Sequence, residues 1–271
     1  MPDEALERTW KWRERDLDVR YGFYRQYEAL ADTRARIGLM LSGSAAGESA
    51  GRPVVAAAAA AYWDLHGLIA PLTDEDLDRD PGHGEWTVRQ TLAHIVSGQR
   101  GYGVFTAWWL SQRHTAADDL PSSPPDELEL LVPEEEEEGI GTVEEIDARL
   151  AELIDQSAGV FGPLGADDLA LRARWSSVPL DVGFRVNRWS SHIREHTIQV
   201  EKTLVFIGRP ASEVDRLVRL IAAAYGRLEE PLYLLPDDAG VSDALRLAET
   251  TAAGVLSDAR SIADATGAAA A

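Results

Sequence analysis

The sequence predicts an all-α protein with a four-helix bundle at its centre, and three observations carry that prediction. Apolar residues recur at spacings of three and four through most of the 271-residue chain, the period of helices with one buried face. Two capping boxes, Thr87/Gln90 and Thr142/Glu145, stand where such runs begin. Period-two alternation is nearly absent, with one short extended piece expected around residues 173–178.

Taken in order, residues 3–40 read as a helix with Leu6, Trp10, Leu17, Tyr21, Tyr24 and Ala31 as its apolar stripe. Residues 41–52, rich in Gly, Ser and Ala, read as a linker. An alanine-rich helix over 53–70 stops before Pro71, and Thr73–Asp76 forms a capped short turn. From Trp86 to Gln112 a long helix carries Val88, Leu92, Ile95, Tyr102 and Trp109 inward. Residues 114–141 hold four prolines and five consecutive glutamates, the composition of a mobile, solvated acidic loop. The second capping box opens a helix to about Val160, with Val143, Ile146, Leu150 and Ile154 facing the core. A helix over 183–207 is closed by Gly208 and Pro210. Ser212 caps the next, and the last spans about 241–265 before a frayed alanine tail. These elements group into a helical N-terminal extension (1–45), the bundle with its acidic loop (53–230), and a C-terminal helix and tail (236–271).

The formal charge of -20 argues against general nucleic-acid binding, which needs clustered Lys and Arg. A small anionic substrate needs only one or two local cations. With no cysteine, there is no disulfide, no thiolate ligand and no protein thiol nucleophile, so sulfur chemistry would have to arrive on a substrate. The acidic start lacks the layout of a signal peptide, and the longest apolar run, 54–63, is shorter than the roughly 20 residues a membrane span needs. The expectation is a cytoplasmic protein that acts on a small molecule, binds neither membrane nor nucleic acid, and forms a homodimer, the commonest soluble assembly.

Histidine placement is the main functional signal. His192 and His196 are spaced i, i+4, which stacks two imidazoles on one helix face. The stripe Val186, Trp189, Ile193, His196, Val200, Leu204 puts His196 at the centre of an apolar face and His192 at its edge. Burying two imidazoles costs free energy unless their nitrogens find partners, and a shared divalent metal would supply them. His94, from the other long helix, would complete a three-nitrogen site with an open position. Thr91, Gly98 and Gly101 share its face, and the glycines there serve either a cavity or close helix packing. His66, His83 and His114 lie near helix ends or in loops and read as surface or packing residues.

The segment Trp86-Thr-Val-Arg-Gln-Thr-Leu-Ala-His94-Ile, preceded by Leu72–Leu77 and Gly84-Glu85, resembles the first signature of the DinB/YfiT-like superfamily. His192-Ile-Arg-Glu-His196, followed by Gln199 and Val200, resembles its second. The resemblance covers roughly 54–207 and implies a four-helix bundle holding a divalent metal on His94, His192 and His196. It includes the metal-binding domains of mycothiol-dependent maleylpyruvate isomerases, which implies a thiol-dependent S-transferase or isomerase with a low-molecular-weight thiol as cosubstrate. The N-terminal aromatic helix, the acidic loop and the last helix are additions to the family pattern.

Imidazole ligands suit zinc or nickel first, with iron, manganese or copper also compatible. A bound cation would lower the proton affinity of a thiol or water held in the open position. Arg188, one turn before His192, is a candidate for attracting a substrate carboxylate, and Gln90 and Gln199 are candidates for orienting ligands. No residue is assigned a catalytic role. Two other readings stand beside this one. A non-catalytic bundle would use its metal for structure, stress response or assembly. A metallopeptidase of His-x-x-Glu-His type would use Glu195 as general base but leaves His94 unexplained.

Overall fold

The computed structural model describes residues 1–41, 49–116, 119–175, 178–233 and 241–267, the first two of the last stretch in backbone only. Most of the expected linker (42–48) and the alanine tail (268–271) lie outside the described residues. The helices are α1 (Val19–Leu41), α2 (Arg52–Ile69), α3 (Asp74–Asp78), α4 (Val88–Ser111), α5 (Glu135–Glu138), α6 (Val143–Phe161), α7 (Ala166–Leu169), α8 (Val182–Phe206), α9 (Glu213–Tyr233) and α10 (Val241–Thr266). Two antiparallel hairpins accompany them: β1 (Thr9–Trp12) with β2 (Arg15–Asp18), and β3 (Arg172–Trp175) with β4 (Val178–Asp181). The protein is all-α in architecture, as the periodicity requires.

Four long helices close into a ring, α2 against α8, α8 against α4, α4 against α6, and α6 back against α2. Their inward faces form one apolar core that includes Leu65, Leu92, Ile95, Ile146, Trp189 and Ile193. Both capping boxes form as expected: Thr87 accepts from the Gln90 amide while Gln90 Oε1 accepts from Thr87 N, and Thr142 and Glu145 repeat the pattern. Ser212 Oγ accepts from Asp215 N in the loop that starts α9.

The remaining long helices stack outward from one corner of the ring. The six-alanine run 56–61 keeps α2 thin, so it packs α9 as well as α6 and α8. Contact is closest where Gly67 meets Arg219 and Ala222, and where Gly226 meets Trp63. Arg219 fastens this layer, donating to both oxygens of Asp64 at 2.8 and 2.9 Å and to Glu201. Beyond α9 lie α1 and α10, which bury Phe23, Leu30, Ile37 and Ile262 between the layers.

The N-terminus departs from expectation. Residues 3–18 are not α-helical: a 3-10 helix over Asp3–Glu7 precedes the β1–β2 hairpin. Trp10 and Leu17 pair across it, and Trp10 is buried with its indole N–H donated to Ser261 Oγ at 3.2 Å. The turn places Arg13 at φ 56, where a glycine or asparagine would have been the recognisable signal. The buried face of α1 is consequently Val19, Phe23, Leu30 and Ile37, while Tyr21 and Tyr24 are exposed.

The acidic segment departs from expectation only in part: most of it is exposed, but its end is packed against the bundle. It contains a 3-10 helix (Asp126–Leu131) and α5, and Glu138 is buried against Arg100 and Arg149. Arg89 donates to the carbonyls of Gly139 and Gly141 at 2.7 and 2.6 Å. Among the described residues, no helix is long and apolar enough to cross a membrane.

The Thr87 cap sets the start of the helix that carries His94. Thr87→Ala is expected to destabilise the protein by about 1 kcal/mol in urea unfolding, with Thr87→Ser close to neutral. Equal stability of Thr87→Ala and the parent would show that the cap adds nothing.

Candidate metal centre

α4 and α8 run side by side, and the contact between them is set by a residue without a side chain. A Cβ at Gly98 would stand 2.6 Å from His192 Cε1, so glycine is what lets the His192 ring lie against α4. Next to Gly98, the buried Gln99 amide donates to the Trp189 carbonyl at 3.2 Å and locks the two helices in register.

This packing brings His94, His192 and His196 together. Each offers one ring nitrogen, and the three lie within 4.8 Å of one another. Nε2 of His94 is 3.2 Å from Nε2 of His192. Two nitrogens bound to one ion at 2.0–2.1 Å with tetrahedral angles stand about 3.3 Å apart, so this pair already has the spacing of shared ligation. The ring centroids are 4.4 to 5.0 Å apart in tilted and edge-on arrangements. Trp86 lies over the group, 5.1 Å from His94 and nearly parallel to His196 at 6.5 Å.

The outer nitrogens explain the orientation of two rings. His94 Nδ1 is 2.9 Å from Glu135 Oε2, and His196 Nδ1 is 2.7 Å from Gln199 Oε1. A carboxylate and an amide oxygen only accept, so each Nδ1 carries the proton and each Nε2 presents a lone pair. Burial pushes His192 down to about 3, with His196 and His94 adding to the effect. His196 is lowered too, chiefly by burial. Neutral imidazoles are the form that binds metal. His192 Nδ1 is buried without a hydrogen-bond partner, the single loose end in the cluster. The donor set fits a divalent ion: three imidazole nitrogens, two of the rings oriented from behind.

The depths of the two α8 histidines are the reverse of the expected ones. His192 is the buried member, at 4% exposure, and His196 is half-buried at the edge. Gln199 orients His196, whereas the side-chain oxygen of Gln90 is committed to the α4 cap. Arg188 pairs with Glu195 through two bonds of 2.7 and 3.0 Å, so its fork already holds a carboxylate. The same pairing holds Glu195 below the usual carboxylate range. His66, away from this group, pairs with Asp147 at 2.7 Å.

Three residues at the site were not singled out by the sequence. Glu135 sits inside the run of glutamates that reads as solvated. Tyr102 reads as one more apolar-face aromatic, yet its ring stands edge-on to His192 at 5.2 Å. Arg185 is 5% exposed on α8, two turns before His192, and its spacing of seven was the available signal. Tyr102 and Arg185 line a cavity of about 550 Å³ beside the cluster, with Gly98, Gly101, Phe105 and Trp175. Gly98 therefore serves both purposes open to it, close packing against His192 and the wall of a cavity.

Two outcomes test this geometry. Gly98→Ala would gain about 1 kcal/mol from helix propensity alone, but the His192 ring is confined by Tyr102, His94 and His196. Net destabilisation of about 1–3 kcal/mol is expected, and a stabilised variant would show that the ring has room to move. Because His192 is neutral when folded and regains an ordinary pKa of about 6.5 when unfolded, unfolding takes up a proton between pH 6.5 and about 3. The stability of metal-free protein should be fully present above pH 6.5 and fall as pH drops through that window. His192→Gln should flatten the profile, and an unchanged slope would remove His192 as its source.

A family model described as the DinB superfamily matches residues 57–200, which contain all three histidines, α4 and α6, and most of α2 and α8. No curated protein and no solved structure matches the chain. With the bundle topology and the match agreeing over more than half of its length, the chain belongs to the DinB superfamily.

Proposed function

We propose that His94, His192 and His196 bind a divalent metal and that the protein is a metal-dependent enzyme working with a low-molecular-weight thiol, as an S-transferase or isomerase. The observation that carries the metal site is the convergence of three ring nitrogens whose opposite nitrogens are already engaged by Glu135 and Gln199 or left without a partner. Imidazole donors suit zinc or nickel best. When bound, the ion supplies a Lewis acid that favours the deprotonated form of a thiol or water.

The chain itself supplies the rest. Trp86 shields the cluster on one side, and the cavity gives a small molecule access on another. Burial raises Tyr102 above its ordinary value, so its hydroxyl stays protonated and can donate to a substrate oxygen at the border of cavity and cluster. The absence of cysteine supports a thiol brought by the substrate rather than held by the protein. The peptidase reading is disfavoured because Glu195 is engaged by Arg188.

Metal analysis of the purified protein is expected to find stoichiometric divalent ion, lost in His94→Ala. Glu135→Ala should weaken metal affinity about 10–100-fold by releasing the His94 ring. Retention of metal with unchanged affinity in His94→Ala would remove the site. A panel of thiols with an electrophilic acceptor, run with and without chelator, is expected to show chelator-sensitive turnover. Loss of the fold on chelation with no turnover by any thiol would assign the ion to structure instead.

A further inference from the structure

Arg185 is a buried cation with no anion paired to it among the described residues. Its guanidinium donates to the Arg174 carbonyl at 2.8 Å and to Thr106 Oγ1 at 3.4 Å, and it lies 5.3 Å over the Trp175 ring. These partners are all neutral. Among the described residues no carboxylate pairs with it, whereas part-buried arginines such as Arg89, Arg188 and Arg219 each have one. Burial pushes Arg185 down to about 10, opposed only by Tyr102, so the group is still charged at neutral pH. A buried charge without a counter-ion is costly, and a site that keeps one next to an open volume is arranged to receive the missing charge from outside.

The volume is the cavity of about 550 Å³ described above. Its walls are largely flat and apolar, from Tyr102, Phe105, Trp175, Pro124, Pro125 and Val132. Ser97, Ser122 and Ser123 add hydroxyls, and Asp126 and Glu129 also line it without pairing to Arg185. Arg185 and His192 share a face of α8, seven residues or about 10 Å apart along the axis. A molecule anchored at the guanidinium and running along that face reaches Tyr102 and then the histidine cluster.

We propose that this cavity is the subsite for a small organic carboxylate with a flat apolar body, whose carboxylate is held by Arg185 while its far end is presented to the histidine centre. The inference rests on the metal-enzyme reading for the purpose of the far end, but the carboxylate site itself does not require a metal. Arg188 cannot fill this role, because Glu195 already occupies its fork. A planar guanidinium beside an indole suits a carboxylate attached to a flat ring, and an inorganic anion would use the charge but leave the apolar walls empty.

Benzoate, its neutral counterpart benzamide and inorganic phosphate, titrated into the purified protein and followed by tryptophan fluorescence and calorimetry, test the proposal. Benzoate is expected to bind saturably, at least about tenfold more tightly than benzamide or phosphate. Arg185→Met should weaken benzoate at least about tenfold while leaving metal content unchanged. His94→Ala should do the reverse, losing metal but keeping benzoate affinity within about threefold, which separates failure of this site from failure of the metal site. Equal binding of benzoate and benzamide would overturn the proposal, as would an Arg185→Met protein with unchanged benzoate affinity. Benzoate binding that disappears in His94→Ala would place the carboxylate on the metal and overturn it too. Phosphate binding as tightly as benzoate would remove the organic body from the assignment. If Arg185→Met does not fold, the ligand comparison on the unaltered protein and on Arg185→Lys decides.

Discussion

The distance between α4 and α8 is the constraint on which the site depends. It is short because Gly98 has no side chain and because His192 uses the space. A methyl group there would collide with the imidazole, and that imidazole is what reaches His94. Packing and chemistry are therefore set at the same point. The Gln99–Trp189 bond fixes the sliding register, and the Thr87 cap fixes where α4 begins relative to Trp86. Each of these acts through the backbone and leaves the ring nitrogens pointing inward.

Much of this was legible in the residues. The i, i+4 spacing of His192 and His196, the capping boxes, and the apolar period of α4, α6 and α8 are local signals, and local hydrogen bonds and burial realise them directly. The errors have tertiary causes. Trp10 and Trp12 occur at a spacing of two inside a segment rich in good helix formers, and the hairpin turn uses Arg13 at positive φ instead of glycine. Long-range burial of Trp10 against Ile262 and Leu217 decided the matter, and no window of sequence contains those partners. Once residues 9–18 form strands, the helical face begins at Val19, and the stripe through Tyr21 and Tyr24 is displaced toward solvent.

The acidic run shows the same limit for charge. Of the five consecutive glutamates, Glu134, Glu136 and Glu137 are exposed as the run suggests, whereas Glu135 and Glu138 meet partners distant in sequence. Arg100 and Arg149 come from α4 and α6, and Arg89 adds carbonyl contacts just beyond the run. Nearly all of the 26 basic residues are arginine. A planar fork with five donors in fixed directions can bridge a carboxylate and neighbouring carbonyls at less entropic cost than a lysine. The effect is to hold Glu138 inside and set Glu135 behind His94, so a segment that reads as a solvated loop orients an imidazole of the cluster.

The ring of helices also has a directional consequence. All three histidines come from α4 and α8, whereas the extra helices α9, α1 and α10 accumulate on α2, the rod diagonal to α4. Growth of the protein at its two ends is thereby steered to the far corner from the cavity beside Tyr102. Such a layout lets the appended layers diverge in sequence, or recruit further chain, while the histidine-bearing corner of the bundle keeps its shape and its cavity.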